Sequence, residues 1–583
     1  MHIASIRIRN FRNLADVTIE GMPAAAVVLG ENNSGKSNLL HALRLVLDPS
    51  LPAEARQLAS EDFWDGLPAP FGGAEVEVSL KLAGFDGNTN AQAVLADSIV
   101  AVSPYVARLT YLYRASGRST LTTSSRDDYE FLIFGGNDEA NRVRSDVRRL
   151  ISLRVLPALR DAEGDLASWS RSPLRALLED LPLTRAMLQP LATDVTAASE
   201  SLLRVPAIRE LEEAILARLL DLAGATFDPK ASLGIGAARP DELIRAVRLF
   251  VESGRSLGAT GLGSANLVFL ALLLEGIAAR RSAGDIVSAI IGVEEPEAHL
   301  HPHLQRVLFR YLLRSEPALI VTTHSPQIAS VAPLRSLILL RRQGNSSVAA
   351  TVSGAGLTDE QVEDLERYLD AVRADFLFAR GVILVEGPAE LYLIPAYARS
   401  MGIDIDQLGI TCSSVHGVDF APYMRLLGSP GLSIPFVVVT DGDMDTVASG
   451  VPGLKRGAQM LGLSDRRRVE SEIASRHYAV ARSVLATRGV FVGRRTLETD
   501  IALIDPGAVV AAFNDLNSGA WVRTRFRNAV QRGTTRAGRK EIVGRITLRG
   551  KGRYAQRLAD YVQPTLQPRY IRDAILAIVA ALP

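Results

Sequence analysis

Eight consecutive residues constrain this chain more than any others: Gly30-Glu31-Asn32-Asn33-Ser34-Gly35-Lys36-Ser37. They fit the spacing G-x-x-x-x-G-K-[ST]. Glycines let backbone N–H groups curl around an anion, and a helix N-terminus adds its positive end. The lysine reaches the outer phosphates and the serine hydroxyl meets Mg2+. Such a loop works between a strand and a helix. Ala24 to Leu29 is an apolar run that reads as a strand, and Leu39 to Leu47 has helical spacing. Gly30, Asn33, Gly35, Lys36 and Ser37 are therefore the expected nucleotide-binding residues, with ATP and Mg2+ as their ligands.

A chain of 583 residues implies two to four domains. Its single cysteine, Cys412, excludes an internal disulfide and suits a reducing compartment. The start, Met1 to Ile8, alternates like a strand and lacks the apolar stretch of a signal peptide. The longest apolar runs, such as Leu267 to Leu274, are far too short to span a bilayer. The expectation is a cytoplasmic protein with no membrane partner. Net charge is +1, but it is unevenly spread: from Trp521 onward there are 14 Lys/Arg and 3 Asp/Glu. An acidic body with a basic end points to a polyanion, DNA first.

Along the chain, Glu75 to Leu82 and Ala107 to Arg114 have period two and read as strands. From Asn141 to Leu222 the texture turns to Leu, Ala and Arg at helical spacing, as in Leu174, Leu177 and Leu178. Strand–helix texture resumes near Ser264, and a new strand–helix unit starts at Gly381. The expected divisions are 1–145 and 236–378 for one α/β domain, 146–235 for a helical insertion, and 379–583 for a second α/β domain.

A phosphate loop needs an acidic strand end to hold Mg2+ and polarise water. Ala289 to Val293 is a buried strand followed by Glu294 and Glu295. Glu294 would orient the ion, and Glu295 would act as general base. A second apolar strand, Ala318 to Thr323, ends at His324. This set resembles ABC-type ATPases, in which a switch histidine meets the γ-phosphate and Asp usually stands where Glu294 does. Gly258 to Asn266 resembles a degenerate ABC signature, with Ser264 as the residue offered to a partner's nucleotide. Since such sites close between two heads, the resemblance implies a homodimer, with the helical insertion as the permanent contact. Two other features have plainer readings. His299, His301 and His303 sit where the family has an inter-head loop rather than a metal site, and Arg160 suits a surface ion pair.

The second chemistry begins at Val382 to Val385, a buried strand ending in Glu386, with Glu390 in the following helix. Phe436 to Thr440 is another such strand, ending in Asp441, Asp443 and Asp445. Adjacent parallel strands bring their ends to one edge. Clustered carboxylates need a cation, and oxygen-only ligands suit Mg2+ or Mn2+, with Ca2+ as a third candidate. Glu498, Asp500 and Lys551 complete the candidate set.

This arrangement looks like the Toprim fold, and the whole chain resembles the OLD (overcoming lysogenization defect) family of nucleases. The second acidic cluster and Lys551 resemble the bacterial class with helicase neighbours in anti-phage defence, which implies a helicase partner. The resemblance implies an ABC-type (SMC/RecF-like) ATPase fold, a Toprim α/β domain with a basic helical end, and a DNA endonuclease using two divalent ions. One ion is expected among Glu386, Asp441 and Asp443, and the second among Glu390, Glu498 and Asp500, with Asp445 beside either. Glu386, Asp441, Lys551 and, at the ATPase site, Glu295 are the expected catalytic residues. The competing reading is a RecF-type DNA clamp, which has no use for the acids after Arg380.

Overall fold

The computed structural model describes residues 1–69, 71–116, 126–156, 168–169, 172–223, 233, 239–247, 249–251, 255–256, 262–314, 318–369, 373–444, 451–517 and 519–582. They form two compact units. The larger contains Met1–Pro157, Ser288–Glu297 and His301–Pro583; the smaller contains Ala158–Val287 and Ala298–Leu300.

The larger unit begins with an antiparallel sheet. His2–Phe11 lies between Leu14–Glu20 and Val76–Ala83, and Tyr105–Ala115 extends the sheet. Val76–Ala83 alternates buried and half-buried residues, as its period-two pattern predicts. A mostly parallel sheet follows, in the order Ser346–Thr351, Leu337–Gln343, Ala25–Leu29, Ala318–Thr323, Ser288–Glu294, Ile151–Leu156. Thr323 pairs with Leu29, and Glu294 with Thr322. The phosphate loop, the paired glutamates and the histidine thus leave the sheet at one edge.

One strand of this sheet lies where helix was expected. Ile151–Leu156 pairs parallel with Ser288–Glu294. Its I-S-L-R-V-L sequence is short and largely β-forming, whereas the helical leucines begin at Leu174. The compact helical unit accordingly starts at Ala158 rather than 146, and runs to Val287 rather than 235. It contains Pro173–Glu179, Arg185–Glu200, Pro206–Ala223, Pro240–Ala246 and Leu262–Ser282. The apolar run at Leu267 lies inside the last of these. Gly263–Ser282 is long and apolar enough, by length and composition alone, to cross a membrane, with 22% of its window buried.

The second α/β part belongs to the larger unit. Its parallel sheet has the order Ile410–Ser414, Gly381–Val385, Phe436–Thr440, Val490–Val492. Val385 pairs with Val439, and Thr440 with Val492, so Glu386, Asp441 and Gly493 leave the sheet at one edge. Both faces are covered, which is why these strands are continuous runs of Val, Ile and Leu. The basic end is no tail. Ile571, Ala574, Ile575 and Ile578 of the last helix, Arg569–Ala581, are fully buried against the sheet. Tyr554 donates from its hydroxyl to the Val509 carbonyl at 3.0 Å, which ties Lys551–Leu558 to the helix Pro506–Asp515, and Lys551–Leu558 also packs against Pro388–Ser400. The two α/β parts are tied together. Arg341 donates to the Arg380 carbonyl (3.2 Å) and the Ser433 carbonyl (3.3 Å), and Arg425 to Gln361 (3.0 Å).

The turn after Phe436–Thr440 is backbone against backbone. A Cβ at Gly442 would stand 2.3 Å from the Gly493 carbonyl oxygen and 2.4 Å from that of Arg494. Neither is a flexible chain end. Gly442→Ala should lower stability by about 1–3 kcal/mol, read as a lower denaturant midpoint; an unchanged midpoint would show that the turn yields freely.

Candidate functional site

At the edge of the first parallel sheet, Gly35 caps the helix Lys36–Leu47 with φ 97°, a left-handed conformation that glycine adopts without strain. Gly30 has no room for a side chain, since a Cβ would lie 2.5 Å from the Leu340 carbonyl oxygen. Asn33 is also left-handed, at φ 63°. Lys36 is buried and donates from Nζ to the carbonyls of Gly30 (2.8 Å) and Glu31 (2.9 Å). Burial pulls its pKa down, against the carboxylates of Glu295, Glu297 and Glu294. The Ser37 hydroxyl donates to Glu294. Glu295 Oε1 lies 3.3 Å from His324 Nδ1. Lysine, serine, paired acids and histidine thus meet at one edge.

Sequence reasoning passed over Glu297. Its Oε1 accepts from the Thr323 hydroxyl (2.6 Å) and from the His324 amide (3.0 Å), and stands 3.6 Å from His324 Nδ1. This buried carboxylate fixes where the histidine backbone leaves the strand. Its signal was a third acid in Glu294-Glu295-Pro296-Glu297. Ser264 lies in the smaller unit, in the first turn of Leu262–Ser282. Gly258 to Gly261 and Arg160 fall outside the described residues.

At the edge of the second sheet, Glu386, Glu390, Asp441, Glu498 and Lys551 line one cavity of about 200 Å3. Glu386 is held firmly: its Oε1 accepts from the Asp441 amide (2.8 Å) and from the Thr440 hydroxyl. Glu498 sits in the first turn of Leu497–Ile504, and its Oε1 pairs with Lys551 Nζ at 2.9 Å. Its Oε2 is buried with no hydrogen-bond partner. Burial raises the Glu390 carboxyl to about 7, aided by Glu386 and Glu498 and opposed by its own amide and by Lys551. Burial also pushes Asp441 well above the carboxylate range, and Glu386, Glu498, Glu390 and Asp443 push the same way. Burial lowers the Lys551 pKa, but Glu498, Asp441 and Glu390 outweigh it, so the ammonium is reinforced.

Arg456, on the helix Pro452–Gln459, was not singled out from sequence. Its Nη2 donates to Glu386 Oε1 (2.8 Å), the Thr440 hydroxyl (2.8 Å), the Asp441 carbonyl (2.9 Å) and Asp443 Oδ2 (3.3 Å). One guanidinium thus occupies the point toward which Glu386 and Asp443 converge. Among the described residues no three metal-ligating side chains close into a ready cage. Arg456 accounts for that at Glu386 and Asp443, and Lys551 at Glu498. The donor set is hard oxygen, partly buried and mutually repelling, with one orphaned carboxylate oxygen, and it fits Mg2+ or Mn2+.

One expected ligand stands apart. Asp500 Oδ2 accepts from the amides of Arg494 (2.8 Å) and Arg495 (3.1 Å), so its carboxylate braces the turn after Val490–Val492 and does not line the cavity with Glu390 and Glu498. Its spacing from Glu498 suggested one site, but two residues along a helix turn the side chains apart. Asp445 lies outside the described residues.

Residues 25–330 match the family described as "AAA domain, putative AbiEii toxin, Type IV TA system". Residues 377–443 match "Overcoming lysogenization defect protein-like, TOPRIM domain". The chain is similar to the OLD nuclease of Thermus scotoductus, 28% identical over 75% of this chain and 81% of that protein. It is similar to the endonuclease GajA of Bacillus cereus, 21% identical over 80% of this chain and 78% of that protein. The solved C-terminal region of the Burkholderia pseudomallei OLD protein is 32% identical, covers 35% of this chain and 100% of that chain, and gives a TM-score of 0.30.

Two outcomes follow from this geometry. Hydrogen bonds to charged groups contribute about 1.5–3 kcal/mol, so Arg456→Met should tighten Mn2+ binding about tenfold by calorimetry. Weaker binding would mean that Arg456 helps an ion rather than competes with it. Glu390 must lose its proton to hold a cation, so Mn2+ affinity should rise with pH up to about 7 and then level, with proton release below that value. In EDTA the sign is opposite. A folded-state pKa of about 7, above the ordinary 4.5, means that this group's contribution to stability falls as pH rises between those values. A flat Mn2+ affinity across that window would contradict both.

Proposed function

The chain belongs to this AAA-domain family and is an OLD-type protein joining that ATPase to a Toprim domain, and from that premise we propose that it is a divalent-metal-dependent DNA endonuclease whose cleavage is coupled to ATP. The observation that carries the reading is the cavity lined by Glu386, Glu390, Asp441, Glu498 and Lys551. Acids and one ammonium at the end of parallel strands suit a phosphodiester. A clamp without chemistry leaves them without a use.

Glu386 and Asp441, with Asp443 once Arg456 has moved, would hold one divalent ion, and Glu390 with Glu498 would hold a second. Bound cations supply Lewis-acid polarisation of the phosphodiester and of water. The chain's own residues do the rest. Lys551 Nζ, held 2.9 Å from Glu498 Oε1, donates to the non-bridging oxygens as charge develops on them. The Thr440 hydroxyl and the Asp441 amide keep Glu386 from swinging toward the DNA. Asp500 steadies the neighbouring turn. Exposed arginines of the C-terminal helices, such as Arg527, Arg553 and Arg557, contact phosphates and make binding salt-dependent.

In the ATPase half, Lys36 and Ser37 receive the phosphates and Mg2+, Glu294 orients the ion, Glu295 takes a proton from water, and His324 faces the γ-phosphate. Two chains pair through the ATPase heads and the helical insertion, in the cytoplasm, with Ser264 offered to the partner's nucleotide. A helicase partner and a role in phage defence or DNA repair complete the reading.

Supercoiled plasmid with Mg2+ or Mn2+ tests it. The wild-type chain should nick or linearise the plasmid. Asp441→Asn and Lys551→Ala should each slow cleavage by about 100-fold or more. Plasmid left intact by wild type at high protein concentration would return the chain to the clamp reading. Lys36→Ala should abolish ATP turnover, measured as phosphate release, and unchanged turnover would contradict the role given to the loop.

A further inference from the structure

A second cavity, about 450 Å3, lies beside the D-x-D turn and has no part in the chemistry above. Its size falls within the roughly 300–1,000 Å3 of small-ligand sites. One wall is the face of helix Tyr478–Ala486 carrying Arg482 and Ala486, and another is the face of Leu497–Ile504 carrying Leu503 and Ile504. Phe491 and Tyr570 also line it. Leu503 and Ile504 remain 38% and 37% exposed, which leaves an uncovered apolar floor.

Its charge is one-sided. Arg482, Arg494, Arg495 and Arg569 face two aspartates, Asp500 and Asp573. Asp500 accepts from two backbone amides and its Oδ1 lies 4.0 Å from Arg495 Nη1, and Asp573 pairs with Arg569 at 3.3 Å. Burial and then Arg494 lower the Arg482 pKa, with Arg495 adding to them and Asp500 opposing. Three guanidiniums that share one carboxylate leave an excess of positive charge, which suits an anion. An apolar floor with aromatic residues calls for a flat, poorly hydrated group.

The cavity also touches the catalytic turn. The Gly442 amide donates to the Arg495 carbonyl at 2.8 Å, and the Gly493 amide to the Thr440 carbonyl at 2.9 Å. Arg482 donates from Nε to the Gly493 carbonyl (3.3 Å) and from Nη2 to Met444 Sδ (3.8 Å). The cavity wall that contains Arg482 and Arg495 is therefore hydrogen-bonded to the segment bearing Asp441 and Asp443.

We propose that this cavity binds one unpaired nucleotide of the DNA strand, drawn out of the stack next to the phosphate being cleaved. The arginines take its phosphate, and the base lies on the apolar floor. The inference rests on the nuclease reading and narrows it, because the preferred substrate is then DNA with a bulged or otherwise unpaired nucleotide.

The test uses the full-length chain in EDTA, so that no cleavage occurs. Two labelled duplexes are compared, one fully paired and one carrying a single bulged 2-aminopurine, with free dAMP as competitor. A stacked or pocketed base contributes about 1–3 kcal/mol, so the bulged duplex should bind about tenfold more tightly, with a change in 2-aminopurine fluorescence. Arg494→Ala and the cavity-filling Ile504→Trp should each erase that preference, while affinity for the paired duplex stays within about twofold. Equal affinity of wild type for both duplexes would overturn the proposal. So would dAMP binding that the two variants abolish without any preference for the bulge, since the site would then serve a free nucleotide. Plasmid nicking by wild type, measured in parallel with Mn2+, separates failure of this inference from failure of the nuclease reading.

Discussion

Like charges at the end of a parallel sheet are the constraint on which the rest of the molecule depends. Parallel strands deliver successive turns to one edge, and here those turns carry Glu386 and Asp441, with Glu390 and Glu498 in the first turns of two helices that start there. Two unit charges 4 Å apart in a protein-like medium repel by about 4 kcal/mol. Four acids around 200 Å3 cannot all be ionised without company. The chain answers in two ways. Glu390 and Asp441 are pushed toward their neutral forms, and two cations are brought in from elsewhere. Arg456 comes from the helix after the D-x-D turn, and Lys551 from a helix far later in the chain.

That requirement gives the C-terminal helices a purpose beyond charge. Lys551 reaches Glu498 only because Lys551–Leu558 is pinned through Tyr554, Ala555 and Leu558, all buried. The stacked rings of Phe513 and Phe526, 3.7 Å between centroids, belong to the same core. Arg539 shows how composition can mislead. It is buried and donates to the carbonyls of Gly533 and Thr534, so part of the basic excess is structural rather than open to a polyanion.

What could be read from sequence was what is local. Strand runs ending in acids, the phosphate loop and the spacing of Glu386 to Glu390 lie within a few residues, and the sheet pairs them as expected. What escaped depends on partners. Arg456 is one arginine on a helix in an arginine-rich chain, and nothing near it announces four acceptors. Glu297 hid behind the paired glutamates. Asp500 looked like a ligand because Glu498 stands beside it, but its Oδ2 accepts from amides five and six residues back. The strand Ile151–Leu156 was lost because a long helical texture begins soon after it, and only its pairing with Ser288–Glu294 distinguishes it.

The two sites share one logic with opposite signs. At the phosphate loop the cation is the waiting group: Lys36 is sunk onto the loop carbonyls of Gly30 and Glu31, and Ser37 onto Glu294. A phosphate that takes them must replace partners already made. At the second edge the carboxylates wait, and Arg456 and Lys551 are what a divalent ion must displace or share. Binding at either edge is thus an exchange of ionic partners rather than a gain of new ones, so affinity is set by a difference. Exchange also moves side chains. A cation that binds Glu386 and Asp443 must turn the Arg456 guanidinium away from both carboxylates, so filling that edge and moving Arg456 are one event.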